Sequence, residues 1–122
     1  MVSAGLLEGK SFYSRPSFRT SMKVLFVCNQ NRNRSKTAER LFSGQFETKS
    51  AGLYNETPIT AKQLSWADVV VVMEDEQRAE LGRRFPKEYL QKWVVSLGIP
   101  DVYKEGQPIL EEMLAKRLKA LL

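Results

Sequence analysis

Residues 69–73 read Val-Val-Val-Val-Met. Successive side chains of a strand point to opposite faces, so a run like this needs cover on both sides. Such strands belong in parallel sheets with helices above and below. Lys23–Val27 is a second buried run of this kind, and Trp93–Leu97 reads as a third. Phe46–Ser50 alternates weakly and reads as a strand followed by Ala51 and Gly52. Helical patterns lie between and after these strands. Lys36–Ser43 carries Ala38, Leu41 and Phe42 at i, i+3 and i+4, with Gly44 as a stop signal. Ile59–Ser65 predicts a short helix, and Asp75 predicts the cap of another that runs to about Arg84 and is ended by Pro86. Gln107–Leu122 closes the chain, with Pro108 in its first turn. Its stripe of Leu110, Met113, Leu114, Leu118 and Leu121 is the side expected to pack on the sheet. The order β-α-β-α-β-α-β-α predicts an α/β fold, a small doubly wound four-stranded parallel sheet with helices on both faces.

Residues 1–21 differ from the rest. Five serines, one proline and no clean period predict an irregular N-terminal extension, read as a leader ahead of a domain at 22–122. A Ser/Arg-rich transit peptide is the other reading of that segment. The formal charge is +5, and Lys10, Arg15 and Arg19 against Glu8 put two of those charges in the extension. A mildly basic body suits an anionic ligand without choosing one. The chain contains no histidine, so the usual zinc clusters are excluded, and neither metal nor cofactor is expected. With a single cysteine no internal disulfide can form, so a reducing, cytoplasmic setting is expected. No apolar run is long enough to span a bilayer, and no membrane partner is expected.

That cysteine, Cys28, stands at the carboxyl end of the first strand, where open parallel sheets bind their ligands. Asn29, Gln30, Asn31, Arg32, Asn33 and Arg34 follow it, and Ser35 opens a helix. A strand-to-helix loop converges its N–H groups on one point, and the helix adds its positive end. The result is a nest for a tetrahedral oxyanion, and the same field favours a thiolate. The Arg34 guanidinium fork suits two phosphoryl oxygens at once. Ser35 has two readings, donor to the sulfur or plain helix N-cap. Asparagines tolerate left-handed backbone, so Asn29, Asn31 and Asn33 also suit the loop's geometry.

The run Cys28-Asn29-Gln30-Asn31-Arg32-Asn33-Arg34-Ser35, after a buried strand and before a helix, resembles the signature of the low-molecular-weight protein tyrosine phosphatases. Thr37-Ala38-Glu39, Ser50-Ala51-Gly52 and Ala67-Asp68 before the valine strand extend the likeness over about Met22 to Tyr103. The resemblance implies a metal-independent phosphatase with Cys28 as nucleophile, and residues 29–35 as a phosphate-binding loop after the first strand. It also implies an aspartate general acid from a late loop. Asp101 in "GIPDVYKEG" fills that place, although Val102 stands where the family has proline. Glu74 and Asp75 are the other acid candidates. Tyr54 and Tyr103 are expected at the substrate rim. Two departures stand out: Gln30 replaces a loop glycine, and Asn33 replaces a second loop cysteine.

The expected partner is a phosphorylated protein, phosphotyrosine first, or a small phosphoester; nucleic acid is not expected. Other readings remain beside this one. A phosphoserine-directed relative is one. An arsenate-handling relative would need an external thiol. A phosphocysteine carrier would lack the arginine. A non-catalytic phosphate or RNA binder would use Arg32, Arg34, Lys36 and Arg40. Oligomeric state is left open.

Overall fold

Two of the valine-rich runs lie side by side at the centre of the sheet. In the computed structural model the described residues are 22–121; the extension expected at 1–21 falls outside them. Strand β1 is Lys23–Cys28, β2 Glu47–Gly52, β3 Val69–Val72 and β4 Trp93–Ser96. All pairings are parallel and the spatial order is β2-β1-β3-β4. The chain therefore reverses its direction of winding between β1 and β3, which opens a crevice at their carboxyl ends. Cys28 is the last residue of β1 and lies beside that crevice.

Helix α1 is Arg34–Leu41, α2 Ala61–Trp66, α3 Asp75–Arg84, α4 Pro86–Leu90 and α5 Pro108–Leu121. The alternation of the strands divides the core in two. Val24, Phe26 and Cys28 of β1 and Val69 and Val71 of β3 pack with Ala38 and Phe42, at and just beyond α1, and with Leu110, Leu114 and Leu118 of α5. Leu25, Val27, Val70 and Val72 pack against Leu64 of α2 and Leu81 of α3 on the opposite face. Burying a side chain of this size stabilises by about 1.5–3 kcal/mol, which is why the run of valines is decisive for the fold. β2 is polar for four residues and sits at the edge, where Glu47 and Lys49 face solvent.

Three expectations need correcting. Pro86 does end α3, but it also opens the short helix α4, because a proline at the first position loses no helical hydrogen bond. The cap of α3 is Glu74 and not Asp75, since Gln77 Oε1 accepts from the backbone N–H of Glu74 at 2.9 Å and of Met73 at 2.8 Å. Helix α1 begins at Arg34 with Asn33 in the cap position, so Ser35 is inside the helix and is not its cap. Asp68 is structural: its carboxylate accepts from Lys23 N at 2.9 Å and its own N–H donates to Lys23 O at 2.7 Å, locking the start of β1 to β3. No helix among the described residues is long and apolar enough to cross a membrane.

Candidate active site

The loop after β1 is fixed from both neighbouring strands. The ladder with β2 continues past the strand end, with Leu53 N donating to Cys28 O at 3.0 Å and Tyr54 N to Asn29 O at 2.8 Å. On the other side, Gln77 Nε2 donates to Asn29 Oδ1 at 3.1 Å while its carbonyl holds the end of β3. Asn31 turns the chain with φ of 52°, the left-handed region that asparagine tolerates. Gly52 makes room for that turn. A Cβ there would lie 3.0 Å from Asn31 N and 2.6 Å from Asn55 Oδ1.

Within the loop, Cys28 Sγ lies 2.9 Å from Ser35 Oγ, which donates to Asn31 Oδ1 at 2.7 Å. The backbone N–H groups of residues 29–33 donate to no group among the described residues. They are a run of free donors in the loop that leaves the sulfur, and successive free amides of this kind are what an anion nest uses. A cavity of about 80 Å³, room for one tetrahedral oxyanion, is lined by Cys28, Gln30, Arg32, Asn33 and Asp101.

Arg34 is the largest fully buried side chain among the described residues, 1% exposed. Its Nη1 donates to Glu74 Oε1 at 2.9 Å and to Ile99 O at 2.7 Å. Its Nε and Nη2, the two adjacent donors of the fork, are buried without a partner. Nη2 lies 3.7 Å from Asp101 Oδ2, an ion pair but not a hydrogen bond. Each buried donor left unpaired costs about 1–3 kcal/mol, so the fork is primed for an anion. No group of three or more potential metal ligands occurs among the described residues.

Asp101 itself is half exposed and sits on a loop that other elements hold in place. Glu105 N donates to Asn33 Oδ1 at 3.2 Å, and Gly106 N to Thr37 Oγ1 at 3.0 Å. Of the expected site residues, the structure brings Cys28, Gln30, Arg32, Asn33 and Asp101 around one cavity, with Asn31 and Ser35 hydrogen-bonded to the sulfur's side. Asn29 braces the loop from β3. Tyr54 is exposed beside the loop, with the Arg84 guanidinium 5.0 Å from its ring. Tyr103 packs against the α1/α5 face of the core. Glu74, one of the alternative acids, is committed to Arg34. Sequence reasoning missed Gln77 and the Ile99 carbonyl. Neither left a signal in the sequence.

No protein-family model matches the chain, and no curated protein matches it. Solved structures do. Wzb of Vibrio vulnificus, in complex with benzylphosphonate, is 19% identical and superposes with a TM-score of 0.69 over 84% of this chain and 97% of its own. A low-molecular-weight protein tyrosine phosphatase from T. tengcongensis is 21% identical, with a TM-score of 0.65 over 84% and 100%. The chain has the fold of these phosphatases. The YwlE arginine phosphatase of Geobacillus stearothermophilus shares it too, at 20% identity and a TM-score of 0.59 over 82% and 94%. Structures of this fold thus include both tyrosine and arginine phosphatases.

Proposed function

We propose that the chain is a metal-independent, cysteine-dependent phosphomonoesterase of the low-molecular-weight protein tyrosine phosphatase family, with phosphotyrosine as its first candidate substrate. The observation that carries this is the buried Arg34 fork with two unpartnered donors, 3.7 Å from a carboxylate on the wall of the cavity that holds the only cysteine. An inert buried thiol needs no such neighbour.

The phosphoryl oxygens take the free amides of residues 29–33 and the Nε and Nη2 of Arg34, where charge spreads in the transition state. Cys28 attacks phosphorus as the thiolate. The S–P bond forms, the P–O ester bond breaks, and the leaving oxygen takes the proton of Asp101. Water then gives a proton to Asp101 and its oxygen to phosphorus, and the thiolate leaves. Ser35 suits the sulfur in either charge state. While its O–H donates to Asn31 Oδ1 it accepts a hydrogen bond from the thiol; with the Asn31 amide turned to donate, its O–H donates a hydrogen bond to the thiolate that attacks and later leaves.

Glu74 and Ile99 O hold the Arg34 guanidinium by Nη1 alone and leave the rest of the fork for substrate. A pure anion binder has no use for an acid at the mouth of the cavity, which favours turnover over the binding-only reading. The test is phosphate release from 4-nitrophenyl phosphate and from a phosphotyrosine peptide, with and without a chelator. Wild type is expected to turn over in both conditions and to be inhibited competitively by vanadate. Cys28→Ser is expected to lose at least about 10³-fold in kcat. A Cys28→Ser protein as active as wild type, or activity abolished by the chelator, overturns the proposal.

A further inference from the structure

Resting on that phosphatase reading, we infer that the substrate is a phosphomonoester whose leaving group carries a second anionic group close to the phosphoryl. The cavity has room for one tetrahedral oxyanion, and around the sulfur its wall consists of Gln30, Arg32, Asn33 and Asp101, two of them charged. Neither expected rim tyrosine lines it. Tyr54 stands exposed outside it with Arg84 near its ring, and Tyr103 packs against the core.

The two arginines of the loop are held differently. Arg34 is buried and anchored by Glu74 and Ile99. Arg32 is exposed, lines the cavity, and has no hydrogen-bond or ion-pair partner among the described residues. A guanidinium with five free donors at the mouth of an oxyanion site selects what stands beside the phosphoryl group. It attracts a carboxylate or a second phosphate and repels a cationic leaving group. The Asp101 carboxylate on the same wall is already paired with Arg34, Nη2 to Oδ2 at 3.7 Å, which leaves Arg32 as the charge on that wall with no partner among the described residues.

The experiment compares kcat/KM for 3-carboxyphenyl phosphate and phenyl phosphate in wild type, Arg32→Gln and Arg32→Lys. A parallel pair is a phosphotyrosine peptide flanked by glutamates and its glutamine counterpart. Wild type is expected to prefer the carboxylated member of a pair by roughly two- to fivefold, the range of one partly exposed charge contact. Arg32→Gln is expected to bring that ratio to about one, and Arg32→Lys to retain part of it. Preference in the aryl pair alone assigns a small doubly anionic ester. Preference in both assigns an acidic phosphopeptide. Binding of the same pairs to Cys28→Ser, read by calorimetry, gives the ratio independently of turnover. Turnover of all four substrates without preference, or a preference that survives in Arg32→Gln, overturns the inference and leaves the phosphatase reading standing. No turnover of any substrate by wild type overturns the phosphatase reading and this inference with it.

Discussion

Two loops meet at the carboxyl end of the sheet; each extends a strand ladder, but they differ in how much of their fastening is their own. The first, residues 28–35, is fastened largely to itself and to the strands it grows from: Ser35 reaches Cys28 and Asn31, and Leu53 and Tyr54 extend the β1–β2 ladder along it. The second, residues 97–107, has one local bond pair, between Lys104 and Gln107. Leu97 N and Ile99 N continue the β3–β4 ladder onto Val72 O at 3.0 Å and Met73 O at 2.8 Å, and its remaining ties come from side chains elsewhere. Ile99 O is held by Arg34, Glu105 N by Asn33, Gly106 N by Thr37, and the carbonyls of Leu97 and Gly98 by Arg117. The anion cradle therefore carries more of its own fastening, while the far side of the acid's loop leans on Asn33 and Thr37. Cradle and acid are separable, and Arg34 is where they join.

The largest effect is expected at that join. Arg34→Met removes the free fork and the tie to Ile99 together, and leaves Glu74 without its cation. Loss of a transition-state donor costs about 10²–10³-fold in kcat, and loss of both fork donors is expected at or beyond the top of that range. Stability should fall as well, and inorganic phosphate, which should raise the wild-type Tm by binding the folded state, should not raise that of the variant. A variant that keeps phosphate stabilisation would show that the amides alone make the cradle.

Asp101→Asn touches only the acid's side. Here kcat should fall about 10²-fold on phenyl phosphate, the low end for general acid catalysis, because the carboxylate is half exposed. The loss should shrink on 4-nitrophenyl phosphate, whose leaving group needs less protonation, and phosphate affinity should hold. An equal loss on both esters would move the acid elsewhere.

Thr37→Val separates the two loops more gently. Its hydroxyl accepts from Gly106 N and donates to Asn33 O at 2.7 Å, so the variant releases one tie of the second loop. One such hydrogen bond is worth about 1 kcal/mol, which corresponds to about a fivefold loss on poor leaving groups. Unchanged inhibition by phosphate would confirm that the cradle does not depend on the loop that carries the acid.

The same contrast explains what could be read in the sequence. The valine run and the alternation gave the sheet, because burial on both faces leaves a local mark in residue type. Cys28 and Arg34 were legible as a pair because their spacing is short and the strand and helix around them are regular. Ser35 was half legible: its place suggested both a cap and a partner of the sulfur, and the structure keeps the second, with Oγ 2.9 Å from Cys28 Sγ inside the helix. Glu74 was seen as an acid near the right strand end, but its partner is 40 positions away. Gln77 and Ile99 act through a side chain aimed backwards and a backbone carbonyl, and neither carries a pattern. The missing helix α4 has the same cause, since a proline marks an end and a beginning with one residue.

The smallest effect expected lies outside both loops, on the support of the first. Glu80 pairs with Arg83 and Arg84, and those two guanidiniums hold its carboxyl at about 2, well below the ordinary 4.5. Arg84 in turn donates to Leu53 O at 2.8 Å and stands by the Tyr54 ring, just past the end of β2. Because the folded value is the lower one, the stabilising contribution is complete above pH 4.5. It declines as the pH falls toward 2 and is absent below that. The pairs are near the surface and screened, so the change should be small and should weaken further in salt. Denaturant midpoints measured from pH 6 to pH 2 should fall less steeply for Glu80→Gln than for wild type, with the difference confined to the lower half of that range. If the two curves were parallel, Arg84 would be held by Leu53 O alone, and the outer support of the cradle would be insensitive to charge.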